Sequence, residues 1–444
     1  MQRGAKAATA AVWAMLGFAP ALARAEDSAL PSDETFAVHG QMTVVEQANA
    51  AFRSPYQGPN SLNAHAVGRE TFDATLYLGF RPWSGAEVWI NPEIDQGFGL
   101  SDTLGVAGFP SGEAYKVGKS APYLKLPRMF LRQTIDLGGA RQKLDADLNQ
   151  LAGGQSANRL VLTLGKFSVV DVFDTNAYAH DARHDFMNWT LIDEGTFDYA
   201  SNAWGYTYGA AAELYEGRWV LRAGAFDLSD LPNSTRLEPG FDEYELTGEI
   251  EEDHSIAGQP GKLKMTAYVN RGRMGRYDDA VALAQQTGQP ADIAAVRAFR
   301  TRSGVNINLE QQVAPGVGVF AKGGVAGGQI EADEFTDVDR TLSGGVSVSG
   351  SHWGRKEDTF GLAGVINQIS GSAQAFFNAG GVGILVGDGQ LPHAGSERIV
   401  ESYYDAALIE ALHLSLDYQF VKNPAYNRDR GPVSIGAVRL HAQF

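Results

Sequence analysis

The stretch VSIGAVRLHAQF (433–444) alternates without a break, with Gly436, Val438, Leu440, Ala442 and Phe444 on one side and Arg439, His441 and Gln443 on the other. Successive side chains of an extended chain point to opposite faces, so this pattern predicts a β-strand with one apolar and one polar face. The same period of two recurs along the chain. Phe72, Ala74, Leu76, Leu78 and Phe80 oppose Asp73, Thr75, Tyr77 and Arg81; Ala86, Val88 and Ile90 oppose Glu87, Trp89 and Asn91. Met129, Leu131, Ile135 and Leu137 oppose Arg128, Arg132, Thr134 and Asp136; Leu412, Leu414, Leu416, Tyr418 and Phe420 oppose His413, Ser415, Asp417 and Gln419. About sixteen such segments can be placed, near 36–46, 70–81, 85–95, 125–138, 158–168, 203–216, 218–228, 240–253, 261–272, 302–313, 316–328, 339–351, 358–370, 395–408, 411–422 and 433–444. A length of about ten residues suits a tilted strand crossing a bilayer and exceeds the roughly 5–6 typical of soluble strands.

The connections fall into two classes that mostly alternate. Residues 82–85, 216–217, 314–316 and those around Glu410 are short turns, whereas 47–69, 96–124, 169–202, 273–301 and 371–394 are long. Short turns at one rim and long loops at the other are the layout of an outer-membrane barrel. Residues 139–157 break the rule: they are long where a short turn is due, and their composition reads as partly helical. The helical-looking stretch 278–302 falls in a long connection and is expected outside the barrel. Phe80, Trp83, Trp204, Trp219, Tyr418, Phe420 and Phe444 lie near strand ends, as rings at the lipid–water boundary do. The expected fold is therefore all-β: a transmembrane antiparallel β-barrel of about sixteen strands, with long external loops and one of them folded into the lumen. A soluble two-sheet lectin is the competing architecture. Lipid offers no partner to an unpaired peptide group, so the sheet must close, the last strand pairing with FAVHGQMTVV (36–45). Closure also supplies what disulfides cannot, since the chain has no cysteine.

Residues 1–25 have Arg3 and Lys6 at the start, an apolar run over 7–19 and Ala23-Arg24-Ala25 at the end. This is the form of a secretory signal peptide cleaved after Ala25, leaving 26–444 as the barrel domain. The run is shorter than the ~20 residues a spanning helix needs, which disfavours an N-terminal anchor. Without Arg3, Lys6 and Arg24, 33 of the 36 basic residues stand against 52 acids, a net charge of −19. Such a balance excludes a nucleic-acid partner, which needs a basic footprint.

The face opposite the lipid side is rich in charged and amide groups, too many for a dry core. Sixteen strands enclose a lumen too wide for side chains to fill, so the interior is read as a water-filled channel. The connection FSVVDVFDTNAYAHDARHDFMNWTLIDEGTFDYASNAW (167–204) is long, and dense in Asp, Asn, His and aromatic residues. Long connections of this kind are usually functional, and the inward loop is placed at 168–203, where it would set which solutes pass. A surface or subunit-contact loop is the second reading. A calcium site at Asp171, Asp174, Asn176 and Asp181 is the third, although the spacing lacks the glycine and terminal glutamate of a known loop. No HExxH, GxSxG or GxxxxGK[ST] motif occurs, so no catalytic, metal or cofactor site is assigned. Planar hydrogen-bonding groups beside aromatic faces suit sugars: Glu87 with Trp89, Arg128 with Phe130 and Arg132, Glu401 with Tyr403.

Several longer stretches carry a family resemblance: WINPEIDQGFGLSDTLGVAGFPSGEAYKVG (89–118), LPRMFLRQTIDLGG (126–139) and LGKFSVVDVFDTNAYAHDARHDFMNWTLIDEGTFDYA (164–200), continuing in EFTDVDRTLSGG (334–345), WGRKEDTFGLAGVIN (353–367), GVGILVGDGQLP (381–392), ESYYDAAL (401–408) and DYQFVKNPAYNRDRGPVSIGAVRLHAQF (417–444). In combination they resemble the carbohydrate-selective porins (OprB type) of Gram-negative outer membranes. The resemblance implies a sixteen-stranded porin, a homotrimer as in related porins, through which mono- or oligosaccharides diffuse passively into the periplasm. It implies outer-membrane lipid as surroundings and Phe444 as the signal read by barrel-assembly machinery. The expected lining residues are Glu87, Trp89, Glu93, Asp95, Arg128, Phe130 and Arg132 from strands by alternation. Asp171, Asp174, Asn176, Asp181 and Arg183 from the loop follow by analogy, each with the alternative of tying the loop to the wall. A general porin for small hydrophilic solutes, weakly favouring cations, is the runner-up; an enzyme or adhesin on a similar barrel is the rival from another class.

Overall fold

A computed structural model describes residues 33–444; the expected signal peptide, with cleavage after Ala25, lies outside the described residues. Sixteen antiparallel strands close into one barrel in which each strand pairs with its neighbours in sequence and the last with the first. They are β1 (Phe36–Asn49), β2 (Val67–Phe80), β3 (Ala86–Gly97), β4 (Lys119–Leu144), β5 (Gly153–Phe167), β6 (Thr207–Glu216), β7 (Trp219–Asp227) and β8 (Tyr244–Ile256). The second half comprises β9 (Gln259–Met274), β10 (Ala298–Ala314), β11 (Val317–Ala326), β12 (Arg340–Ser349), β13 (Thr359–Gln368), β14 (Glu397–Ile409), β15 (Leu412–Lys422) and β16 (Val433–Gln443). Every segment read from the alternation is a strand.

The faces are as the period of two dictates. Leu342, Leu362, Val400 and Leu416 stand exposed on the outside, and Leu412 and Leu414 share that outer face half-buried. Inward-facing Glu245, Glu249, Glu397, Glu401 and Asp417 are buried. The seam runs from Gln41 opposite Gln443 to Asn49 opposite Ile435. Beyond it Phe444 N–H donates to Gly40 O (2.9 Å) and Gly40 N–H to Phe444 O (3.0 Å). The Phe444 ring lies where a Cβ on Gly40 would come within 2.5 Å of it, so the ring covers the glycine's bare backbone.

The connection 139–157 is not helical. β4 and β5 continue past the barrel rim as a paired hairpin, Arg141 opposite Ser156 and Leu144 opposite Gly153. Ala, Gln, Lys and Leu favour helix there, but the register shifts around Gly138, which together with Gly139 adopts positive φ (99° and 89°), and the strands stay paired across this bulge. Both faces of this extension meet water, so it carries no apolar alternation to read. Its turn, 145–152, folds back beneath the barrel: Leu151 is buried, and the main chain of Asn149 accepts from Arg132 Nη1 (2.8 Å). The stretch 278–302 begins as the helix Tyr277–Thr287, but β10 has already started at Ala298.

Candidate functional site

A loop inside a barrel has no ladder to satisfy its peptide groups, and each one buried without a partner costs about 1–3 kcal/mol. The inward faces of the strands supply the partners. Glu401 accepts the Asn188 N–H (3.0 Å) and that of Met187; Glu310 accepts Ala177 N–H (2.7 Å), Glu249 accepts Asp174 N–H (2.9 Å) and Glu245 accepts Ala200 N–H (2.7 Å). Cations serve the carbonyls: Lys322 Nζ donates to Ala179 O (3.0 Å) and Ile192 O (2.8 Å), Arg439 to Asp185 O (2.9 Å) and Ala182 O. The segment 168–206 thus touches strands from β4 round to β16 while lying within the barrel. A second segment, 98–118, which the alternation left as an ordinary external loop, lies inside as well. Glu397 accepts the N–H groups of Ala107 (3.0 Å) and Gly108 (2.7 Å), and Gly105, at φ 88°, passes so near Leu62 N that a Cβ would fall 1.8 Å from it.

The sequence-predicted residues divide between the wall and the open space. Trp89 is fully buried over Gly79, its Nε1–H donating to Glu87 (3.0 Å). Glu93 accepts from Thr75 (2.6 Å), and Lys125 bridges it to Asp95 (3.4 and 2.9 Å). Asp174 accepts from Glu194 N–H (2.6 Å) and Asn308 Nδ2 (2.7 Å), and Asn176 donates to Asn308 Oδ1 (2.7 Å). These six residues anchor. The acids considered for calcium go to separate partners, and among the described residues no three His, Asp or Glu side chains converge as a metal site.

Arg128, Asp171, Asp181 and Arg183 instead line one cavity of about 210 Å³. Phe130 and Arg132 line an adjoining one, which shares Asp171 and His180 with the first. Arg128 holds Asp171 through two hydrogen bonds, Nε at 2.8 Å and Nη2 at 2.6 Å, with the Tyr206 ring 5.0 Å away. Arg183 sits between Asp73 (3.3 Å) and Glu113 (3.2 Å). The rest of the lining was missed by sequence reasoning. Phe109 stacks on Trp189 (centroids 5.2 Å), Trp189 on Phe335 (5.2 Å), and Phe335 meets Tyr199 (4.4 Å). These rings come from three separate long connections, so spacing along the chain carried no hint of the stack. Phe335 adopts φ 58°, a strained value for a bulky side chain, and places its ring between those of Trp189 and Tyr199. Three residues of this lining also carry a buried nitrogen, His180 Nδ1, Arg183 Nε and Trp204 Nε1, without a hydrogen-bond partner among the described residues. Among the polar side chains of this lining, those of Arg128 and Asp171 stay partly exposed, and these are groups a solute's hydroxyls can reach.

Burial and the nearby Asp174 charge push the Asp193 carboxyl up to about 7. Burial opposes ionisation of Asp181 too, but His184 and Arg183 outweigh it and hold that acid below the usual range. Asp193 is neutral below about pH 7 and negative above it, so raising the pH adds a charge to the cavity lining. Cation preference, measured as reversal potential in a KCl gradient, is expected to grow between pH 6 and 8 in the wild type and to grow less in Asp193→Asn. Equal pH dependence in the two proteins would contradict the assignment.

Residues 60–444 match the family model described as carbohydrate-selective porin, OprB family. Among solved structures, the chain is similar to the high-pH structure of Pseudomonas putida OprB, at TM-score 0.68 and 15% identity over 92% of this chain and 94% of that one. It is also similar to the outer membrane channel DcaP of Acinetobacter baumannii, at TM-score 0.52 and 11% identity over 95% of this chain and 100% of that one. At such identities the likeness speaks for the fold. No curated protein matches.

Proposed function

The chain belongs to the OprB family of carbohydrate-selective porins, and from that premise we propose that sugars cross it through the cavity between Arg128, Asp171, Arg183 and the Phe109–Trp189–Phe335 stack. It is a channel of the outer membrane and not an enzyme: carbohydrate moves down its own gradient. The observation that carries the site is the pairing of an aromatic face with the partly exposed Arg128–Asp171 pair. A sugar ring presents C–H groups on its faces and hydroxyls round its edge. The stacked rings offer the former a surface, while the Arg128 guanidinium and the Asp171 carboxylate meet the latter. Asp171 and His180 line both cavities and mark the passage from one to the other; below them Asp147 and Leu148 are shared with a third cavity at the short-turn rim, beside His441 and Phe444. We read 168–203 as the constriction and 98–118 as its second wall. The N-terminal 25 residues direct export, and the β16 end at Phe444 is the part offered to barrel-assembly machinery.

The test is ion current through single channels in planar bilayers while mono- and oligosaccharides are added. Concentration-dependent block is expected, with weak affinity, and it should be lost when the aromatic stack is broken by Trp189→Ala. Ion current that no sugar interrupts would instead favour the general, weakly cation-preferring pore.

A further inference from the structure

The outward faces of β12 to β15 carry only three charged residues, Arg340, Arg398 and Lys422, and all three are cations within two residues of the long-loop rim. Apart from Gln368 and the hydroxyl-bearing Tyr404 and Tyr418, the remaining outward positions are apolar or small, among them Leu342, Ile366, Val400 and Phe420 close beside the cations. In a chain of net charge −16 this is an uneven distribution. Arg398 and Lys422 stand directly opposite each other across β14 and β15. Like charges in such a cross-strand pair repel, and among the described residues neither has a carboxylate at ion-pair distance, nor has Arg340. Two strands over from Arg398, Arg340 opposes Gln368 across β12 and β13, and both line an open cavity of about 390 Å³ at the rim. Its other walls mix the polar side chains of Ser370, Gln374 and Ser396 with Ile369, Ala394 and Tyr426, beside the start of the helix Gly371–Asn378. The four strands span roughly 14 Å sideways, within reach of long cationic side chains converging from both ends.

We propose that this patch binds the phosphate-bearing headgroup of a glycolipid in the outer leaflet, its anionic groups held by Arg340, Arg398 and Lys422 and its sugar edge in the rim cavity. The acyl chains then lie along Leu342, Ile366, Val400 and Phe420 beneath. The long loops face the outside in barrels of this kind, which puts the patch at the headgroup level of that leaflet. An anion between Arg398 and Lys422 turns their repulsion into two charge-assisted contacts. Cations that merely reach for water at the interface would be indifferent to what the lipid carries; this arrangement is specific for phosphate on a lipid.

The experiment uses the whole folded protein in phosphatidylcholine vesicles that contain bisphosphorylated lipid A, dephosphorylated lipid A, or neither, with inorganic phosphate alone as a fourth arm. Wild-type protein is expected to unfold at a higher temperature only with the phosphorylated lipid, and the triple variant Arg340→Gln/Arg398→Gln/Lys422→Gln to lose that increment. Binding of the phosphorylated lipid, read by native mass spectrometry, should weaken about a hundredfold in the variant, at roughly a factor of five per surface cation. Sugar block of ion current should be the same in both proteins, because the patch lies outside the channel. Equal increments in wild type and variant, or an increment from dephosphorylated lipid or from free phosphate, would overturn the proposal.

Discussion

Replacing residues 176–187 by a Gly/Ser linker of equal length is expected to raise single-channel conductance several-fold and to abolish sugar block, while the barrel still folds. The sixteen-strand sheet needs nothing from the loop: its ladders close on themselves, from Gln41–Gln443 at the seam round to β1–β2. What the replaced segment contributes is cross-section and anchors. It brings Tyr178 against Gly318, Phe186 against Tyr403 (centroids 4.9 Å) and Arg183 between two acids. With a featureless linker the backbone loses its fixed course, water enters, and Lys322, Arg439 and Glu401 are hydrated rather than stranded. A point change that leaves the loop in place behaves differently. Arg183→Ala removes the cation shared by Asp73 and Glu113 and leaves two buried acids facing each other, a cost of about 3–5 kcal/mol when one partner of a buried pair is removed. That variant should show a lower unfolding temperature with a conductance nearer to wild type. Heat-modifiable mobility in SDS gels checks folding of the linker protein, and planar bilayers its conductance. An unchanged conductance would mean that 168–203 does not limit the passage.

The contrast between the two variants also shows where reading the sequence succeeds and where it stops. Alternation reports which face of a strand a residue occupies, and it is unambiguous wherever one face meets lipid, as from Leu412 to Phe420. It found all sixteen strands for that reason. It failed at Arg141–Leu144, where both faces of the strand meet water and the pattern has nothing to separate. It also says nothing about depth. Glu87, Trp89, Glu93 and Asp95 do face inward, but the turn 145–152 and the segment 98–118 occupy the space in front of the wall, and these residues are buried behind them. The inward course of 98–118 left only an indirect trace, glycines at 105, 108 and 112 where Cβ atoms would collide with Leu62, Thr190 and Ile192. The Phe109–Trp189–Phe335 stack is assembled from loops remote in sequence, and only the folded barrel brings them together.

Of the residues that reach the open space, Arg128 is the one whose loss should cost most in sugar affinity. Its guanidinium uses Nε and Nη2 on Asp171, and the pair is exposed enough to meet a solute, the Arg128 side chain to 14% and that of Asp171 to 29%. Trp89 is 0% exposed. Arg128→Met keeps an unbranched apolar stem but removes the charge that orients Asp171 and any donor left for a hydroxyl. Hydrogen bonds to charged groups contribute about 1.5–3 kcal/mol each, so sugar block should weaken by roughly 10- to 100-fold. Asp171 freed from Arg128 retains the Ser168 N–H (3.0 Å), so the loop keeps its anchor and conductance should change little. Trp89→Phe supplies the opposite case. It leaves Glu87 without the indole N–H and opens space over Gly79, which lowers the unfolding temperature, yet it touches neither cavity and should leave the sugar constants alone. Current-noise analysis with a single sugar measures both variants on one scale. Weaker block in Trp89→Phe together with unaltered block in Arg128→Met would move the sugar path from the Arg128–Asp171 cavity to the wall behind it.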